Sequence, residues 1–381
     1  MSVCWTALGF ASYSEKLYTK VAMTNDIINF NAGPAGLPKA ALHRAREEFL
    51  NFEETGISIM EHSHRGSAYD GVHETARSLV KELLEVPDSH EVMFLQGGAS
   101  HLFALLPMNF LSEGRSADYV VTGNWSKKAL AEAQIIGSAR SAGSGEVDGK
   151  FLRIPSRDEL ELDDQAAYCH ITSNNTISGT QYMDFFDSKA PLVADMSSDI
   201  MWKPLDISKF GLIYAGAQKN IGPSGVAVVI IRKDWVEQAN TNIPKYFRFK
   251  SHLDARSLYN TPPTFAIYMM RNVLEHTKKL GGVSVMHDMN QRKASILYDA
   301  IDSSNGFYHC PVETESRSSM NVVFRLPDEE QEAKFIKAAA DEGMIGLKGH
   351  RSVGGCRASI YNAVSVDSVV KLADFMKTQA R

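Results

Sequence analysis

Apolar residues fall into two repeating patterns along this chain. Short runs bounded by glycine, proline or asparagine predict strands at Glu91-Val92-Met93-Phe94-Leu95, Tyr119-Val120-Val121, Tyr168-Cys169-His170-Ile171, Leu192-Val193-Ala194, Leu212-Ile213-Tyr214 and Val226-Ala227-Val228-Val229-Ile230-Ile231. Between them, apolar positions recur at helical spacing: Ala41, Leu42, Ala45, Phe49 and Leu50 after Pro38, then residues 69–86, 102–110 and a helix starting at Asn124. Strands alternating with helices from about residue 38 to 240 predict an α/β domain with a mainly parallel sheet, whose ligands gather beyond the carboxyl ends of the strands. Gly143-Ser144-Gly145-Glu146 lies in a polar stretch and reads as a turn. Past the paired Pro262-Pro263 comes a long helix, a break at Gly281-Gly282 and a second helix over 283–301. The remainder mixes strands at Asn321-Val322-Val323-Phe324 and Arg357-Ala358-Ser359-Ile360 with helices over 328–342 and at the C-terminus, the make-up of a smaller α+β domain.

One stretch breaks the apolar pattern in an instructive place. Between the runs at 212–214 and 226–231 sits Lys219, among small residues. An ammonium near buried strands must reach water, pair with an acid, or lose its proton, and a lysine with a lowered pKa is a nucleophile able to form a Schiff base. Twenty-four residues upstream, another apolar strand ends in Asp195. A carboxylate to hold a pyridinium proton and a lysine to carry an aldehyde are the two groups that pyridoxal phosphate chemistry needs. Gln96-Gly97-Gly98-Ala99-Ser100, between a strand and a helix, offers free backbone amides for an anion. Trp125 stands at a strand-to-helix rim, where an aromatic ring stacks on a flat ligand or caps the core. The segment 348–357 collects Lys348, His350, Arg351 and Arg357 among glycines, which suits bidentate capture of carboxylate or phosphate. His62 and His64 lack further ligands at a useful spacing, so no metal site is expected and an anion contact by His64 and Arg65 is the functional alternative to a polar loop.

Composition narrows the class. The chain has 381 residues, 44% hydrophobic and 22% charged, with a formal net charge of −5. That is globular material long enough for two domains, with no basic excess for nucleic acid and no membrane span expected. Cys4, Cys169, Cys310 and Cys356 form no CxxC pair, which points to a reducing, cytoplasmic setting with no disulfide framework. Residues 1–23 carry no secretory pattern and are expected to be a poorly ordered extension, with Met23 as an alternative initiator. Residues 24–37 are expected to join the small domain, 38–280 to form the large one and 281–381 the small one.

Motifs spread from about residue 27 to the C-terminus carry a resemblance. Asn31-Ala32-Gly33-Pro34-Ala35, Ser63-His64-Arg65-Gly66, residues 214–225, Asn260-Thr261-Pro262-Pro263-Thr264-Phe265, Gly349-His350-Arg351 and Gly355-Cys356-Arg357-Ala358-Ser359-Ile360-Tyr361-Asn362 are similar to those of the phosphoserine aminotransferases, a fold-type I, class V family. The resemblance implies an aspartate-aminotransferase-like fold with a seven-stranded sheet, pyridoxal 5'-phosphate as cofactor, and a homodimer with shared active sites. It implies transfer of the amino group of L-glutamate to 3-phosphohydroxypyruvate in serine biosynthesis, with the phosphonooxythreonine step of pyridoxine biosynthesis as a further reaction. By the same resemblance Lys219 carries the cofactor, Asp195 pairs with its ring nitrogen, Trp125 stacks on the ring and Thr176 approaches the phenolic oxygen. Ala99, Ser100 and Gln218 would hold the phosphate, with Asn260 and Thr261 reaching it from the other subunit. His64 and Arg65 of the neighbour, with His350 and Arg351, would take the distal anion of either substrate, and Arg357 the α-carboxylate. The chain departs from the family pattern at Ser100, where some bacterial members carry arginine, and at His101 and Leu102. The rivals are another class V enzyme such as an alanine:glyoxylate aminotransferase, a cysteine desulfurase using Cys356, or a non-catalytic cofactor binder.

Overall fold

The computed structural model describes residues 27–380, so the expected extension over 1–23 lies outside the described residues. Seven strands form the central sheet: β1 (His90–Gln96), β2 (Ser116–Val121), β3 (Ser138–Ser144), β4 (Cys169–Thr172), β5 (Leu192–Asp195), β6 (Phe210–Gly216) and β7 (Val226–Arg232). Their order is β1-β7-β6-β5-β4-β2-β3. Strand β7 runs antiparallel to both its neighbours, and every other pairing is parallel.

A sheet of this kind is buried on both faces, which is why its inner strands read as unbroken apolar runs. Alternate residues of each strand go to opposite layers. Phe94, Ile171, Ala194, Ile213 and Val228 face one side, with the helices Ser67–Leu83 and Thr264–Lys279. Met93, Tyr168, Val193, Leu212 and Val229 face the other, with Ala99–Phe110 and Asn124–Ile136.

A separate core gathers Phe30 from the N-terminal end of the described chain with Leu297, Val322, Phe324, Ala358 and Met376. It is held by two small pairings, Asn321–Phe324 antiparallel to Cys356–Ser359 and Ile28–Asn29 parallel to Met344–Ile345. Gly281 and Gly282, at φ +108° and +79°, turn the chain from the helix Thr264–Lys279 into Gly282–Asp302. Two successive left-handed residues are a conformation that glycine adopts without penalty.

Two expectations are corrected. Residues 143 and 144, read as part of a turn, belong to β3, which lies at the edge of the sheet with several exposed positions and therefore carries no apolar run. A Cβ on Gly143 would also fall 2.4 Å from Leu160 Cδ2, so the residue serves close packing. The strict alternation of strand and helix fails as well. Between β4 and β5 the chain forms a small hairpin, Asn174–Asn175 with Thr180–Gln181, and between β5 and β6 only a short 3-10 turn, Ile207–Lys209. Both crossovers are rich in buried polar residues, and these build the site.

Candidate active site

The carboxyl ends of β1, β2, β4, β5 and β6 open onto one region. Asp195 is the last residue of β5, and Lys219 lies three residues beyond β6. Thr176 follows the first arm of the hairpin after β4, and Trp125 is the second residue of the helix that follows β2. This is where an open α/β sheet places ligands.

Lys219 Nζ donates a hydrogen bond of 2.6 Å to Thr176 Oγ1 and stands 5.7 Å from the centre of the Trp125 ring. Burial pushes its ammonium down to about 8; the Asp195 and Asp199 carboxylates pull it back up, and the Arg357 charge helps to lower it. The side chain nonetheless keeps a partly accessible face, as a nucleophile requires. Asp195 is buried and raised above the ordinary carboxylate range by that burial, opposed by Ser197 and by the charge of Lys219. Both Ser197 bonds, from the amide at 2.9 Å and the hydroxyl at 2.6 Å, go to Oδ1. Ser197 Oγ in turn accepts from Gly216 N at 3.0 Å, which ties the carboxyl to the end of the neighbouring strand.

Arg357 closes the other side. Its Nη1 donates to the Thr176 carbonyl at 3.0 Å, so one threonine meets the lysine by its side chain and the arginine by its backbone. Burial lowers the guanidinium below its usual value, and its Nε is buried without a partner among the described residues. Beyond it lies a cleft of about 480 Å³, lined on one side by Asn124, Lys127 and Lys150 and on the other by Arg325, Ser352 and Arg357. Asn124 Nδ2 reaches Ser352 Oγ at 3.2 Å across the opening. In the same loop His350 shares a 2.7 Å bond with Ser352 through Nδ1; burial and the Arg357, Arg351 and Lys128 charges keep the imidazole below its ordinary pKa. Arg351 is exposed.

The fit to pyridoxal phosphate can be tested on these atoms. The buried Asp195 carboxyl, both of whose Ser197 bonds fall on Oδ1, is the partner that a protonated ring nitrogen needs, and a cation there offsets its burial. The Trp125 ring lies over the lysine amine, with its Nε1 buried and unpaired among the described residues. Ala99 and Ser100 open the helix after Gly97 and Gly98, so their amides have no acceptor within it, and a Cβ built on Gly98 meets nothing within 4 Å. A lowered lysine amine, a buried acid, a flat aromatic face and an open helix N-terminus fit the cofactor.

Other residues singled out in the sequence do not join this group within one chain. The Asn260 side chain and the Thr261 carbonyl pack on Gln96, with bonds of 3.1 and 2.8 Å. His64 Nε2 is buried without a partner among the described residues, and Arg65 beside it is exposed. Gln218 accepts from Ala35 N at 2.9 Å through its carbonyl, which brings the N-terminal segment over the lysine loop. At His101, one of the departures from the family pattern, Nδ1 lies 3.1 Å from the Gln96 carbonyl and braces the glycine turn.

The sequence reading passed over Asp199 and quoted Gly33 only as part of a motif, with no role. Gly33, at φ +148°, lies against the lysine side chain, and a Cβ there would come within 3.2 Å of Lys219 Cγ. Asp199 is fully buried, accepts from Gln181 Nε2 at 3.1 Å and from Ser173 Oγ, and is pushed up to about 7 by burial. Its signal was a second acid four residues after Asp195 in a run with no exposed apolar face. Cys356 is buried, and its thiol is pushed up to about 12 by burial and by Glu332, the reverse of a reactive thiolate.

Comparison with known proteins agrees with this geometry. The sequence matches the family described as "Aminotransferase class-V" over residues 27–372. A phosphoserine aminotransferase of Bacillus subtilis (strain 168) is 54% identical over 349 residues, covering 92% of this chain and 97% of the relative. The solved phosphoserine aminotransferase of Bacillus circulans subsp. alkalophilus superposes with a TM-score of 0.92 at 50% identity, over 94% of this chain and 99% of that one. The PLP-bound phosphoserine aminotransferase of Trichomonas vaginalis gives a TM-score of 0.88 at 38% identity, over 92% and 99%. With a parallel-rich seven-stranded sheet, a lysine and an acid at the ends of adjacent strands, and relatives matched over nearly their full length, the chain belongs to the class V aminotransferases, in the phosphoserine aminotransferase family.

Proposed function

We infer that this protein transfers the amino group of L-glutamate reversibly to 3-phosphohydroxypyruvate, giving O-phospho-L-serine and 2-oxoglutarate, with pyridoxal 5'-phosphate as cofactor. The observation that carries this reading is the meeting of Lys219 and Arg357 on Thr176, beneath Trp125 and beside the strand that ends in Asp195. When bound, the cofactor supplies an aldehyde that holds the amino group and a ring that takes up the electron pair released at the substrate α-carbon. Lys219 offers the amine for that aldehyde and, once displaced by the incoming amino acid, moves the proton at the α-carbon. Asp195 would hold the ring nitrogen protonated, Trp125 would cover the ring and exclude water, and the Thr176 hydroxyl, which accepts from Lys219 here, would hydrogen-bond the phenolic oxygen instead. The Ala99 and Ser100 segment and Gln218 would hold the phosphate.

Arg357 takes the α-carboxylate common to both substrates. His350 and Arg351, with His64 and Arg65 of a second subunit, take the other anion, the phosphate or the distal carboxylate. The same two anchors accept the phosphorylated four-carbon homologue of the pyridoxine pathway, which differs between its anionic ends. A homodimer is part of this reading. Asn260 and Thr261 complete the phosphate site of the partner, and apolar side chains at Leu42, Phe49, Leu50, Ile57 and Met60, with Leu50 78% exposed, form the face that a second copy covers. We place the enzyme in the cytoplasm, in keeping with its buried free thiols Cys169, Cys310 and Cys356; among the described residues no helix is long and apolar enough to cross a membrane.

The test compares 3-phosphohydroxypyruvate with hydroxypyruvate as amino acceptor. Leaving the second anion's arginines unpaired should cost kcat/KM about a hundredfold or more. Equal use of both acceptors contradicts the assignment, and a purified enzyme that sediments as an active monomer contradicts the shared site.

A further inference from the structure

A second buried lysine lies outside the machinery just described. Lys293, in the helix Gly282–Asp302, has no exposed surface. Its Nζ donates to three backbone carbonyls, Ile360 at 2.8 Å, Tyr361 at 2.8 Å and Val364 at 3.1 Å. Three acceptors match the three N–H bonds of an ammonium, one more than a neutral amine can supply. Burial draws the group down to about 7, with no carboxylate of the described residues acting against it.

The three carbonyls belong to the turn between the strand Cys356–Ser359 and the helix Val366–Gln379, and that turn is joined to the site in three ways. Arg357 lies on the strand that enters it. The Tyr361 hydroxyl donates to the Ala32 carbonyl at 2.8 Å, one residue before the Gly33 that lies against Lys219. Asn362 donates its amide to Asn220 Oδ1 at 2.9 Å, directly beside Lys219, and its side chain to the Met201 carbonyl at 3.0 Å.

We propose that Lys293 is a positioning residue for amino transfer: its ammonium fixes the turn at 360–364, and the turn holds Arg357, the Ala32-Gly33 segment and Asn220 in register around Lys219. The proposal rests on the roles assigned above to Lys219 and Arg357. A buried cation with no acid partner among the described residues is a costly way to stabilise a turn that apolar packing could stabilise instead, and its three bonds converge on a turn that meets both sides of the site.

The test uses the holoenzyme and counts active sites by bound cofactor. Lys293→Met should raise KM for glutamate and for phosphohydroxypyruvate together, each about tenfold, because misplacing a substrate anchor from a distance is felt in binding. Turnover per bound cofactor should change by less than KM does. Asn362→Ala removes the turn's side-chain bonds to the Met201 carbonyl and to Asn290 while leaving the buried cation in place, and should raise both KM values in the same direction. If the two residues act through one turn, the double variant is no worse than about the worse single one; independent effects multiply. Unchanged KM values in Lys293→Met, with only a lower melting temperature or yield, overturn the proposal and leave Lys293 a stability residue. If that variant yields no folded enzyme, Asn362→Ala decides, and normal KM values there overturn it. A wild-type enzyme that fails to transaminate this pair refutes the functional reading instead, so the two failures are distinct.

Discussion

Lys219 and Lys293 are both lysines pulled below their ordinary pKa by burial, and they have opposite chemical prospects. Lys293 spends all three N–H bonds on carbonyls and has no surface. Lys219 makes one side-chain bond, to a hydroxyl, and keeps a partly accessible face. Burial lowers a lysine's pKa but does not make it a nucleophile. What distinguishes Lys219 is a free lone pair once the proton leaves, access for an aldehyde, and acids near enough to tune it without forming an ion pair.

That contrast can be broken at several points. The largest effect is expected at the nucleophile, where Lys219→Ala should lower amino transfer by about a thousandfold or more while the circular dichroism spectrum stays that of the folded protein. Residual turnover near wild type would mean that the wrong lysine has been chosen. Next comes Arg357→Ala, which should raise KM for both substrates by roughly a hundredfold, the scale of a lost charge-assisted hydrogen bond. Loss for one substrate alone would reassign the arginine to the distal anion.

A smaller effect sharpens the comparison of the two amines. Only the unprotonated amine of Lys219 attacks an aldehyde, so capture of pyridoxal phosphate by cofactor-free protein should quicken about tenfold per pH unit and level off above about 8. The sign follows from a lowered lysine pKa, since the reactive form is the one present above it. A rate that climbs steadily to pH 10 would show the amine to be unperturbed. The smallest effect is expected at Cys356→Ala, which should leave turnover within about twofold and lower stability by about 1 kcal/mol in thermal unfolding. A large loss of activity there would reopen the desulfurase reading.

Much of this arrangement was legible in the sequence because its chemistry interrupts a pattern. A lysine and an aspartate at the ends of apolar strand runs stand out, since such runs have few reasons to carry charge, and the arginine cluster near residue 350 stands out among glycines. Lys293 does not. On a helix its neighbours Arg292, Ala294 and Ser295 read as an ordinary surface turn, and only the packing of a turn some 70 residues later buries it. The contact of Gly33 with Lys219 was hidden for the same reason, because it is made across the whole length of the large sheet's chain. Strand β3 escaped because an edge strand need not be apolar, and the helix-free crossovers around β5 escaped because their buried side chains are polar and satisfied by one another, as in Asn174 with Ser198 and Asn321.

The central claim is that Lys219 carries a cofactor which this protein loads with the amino group of glutamate and unloads onto phosphohydroxypyruvate. An absorption spectrum of the purified protein, recorded before and after each substrate is added in turn, tests it most directly. The account predicts a visible cofactor band that glutamate bleaches and 3-phosphohydroxypyruvate restores far better than glyoxylate, and, after borohydride reduction, denaturation and dialysis, a near-ultraviolet cofactor absorbance that the wild type retains and Lys219→Ala does not. A visible band that glyoxylate restores equally well, or cofactor absorbance that the lysine variant retains after this treatment, would contradict it.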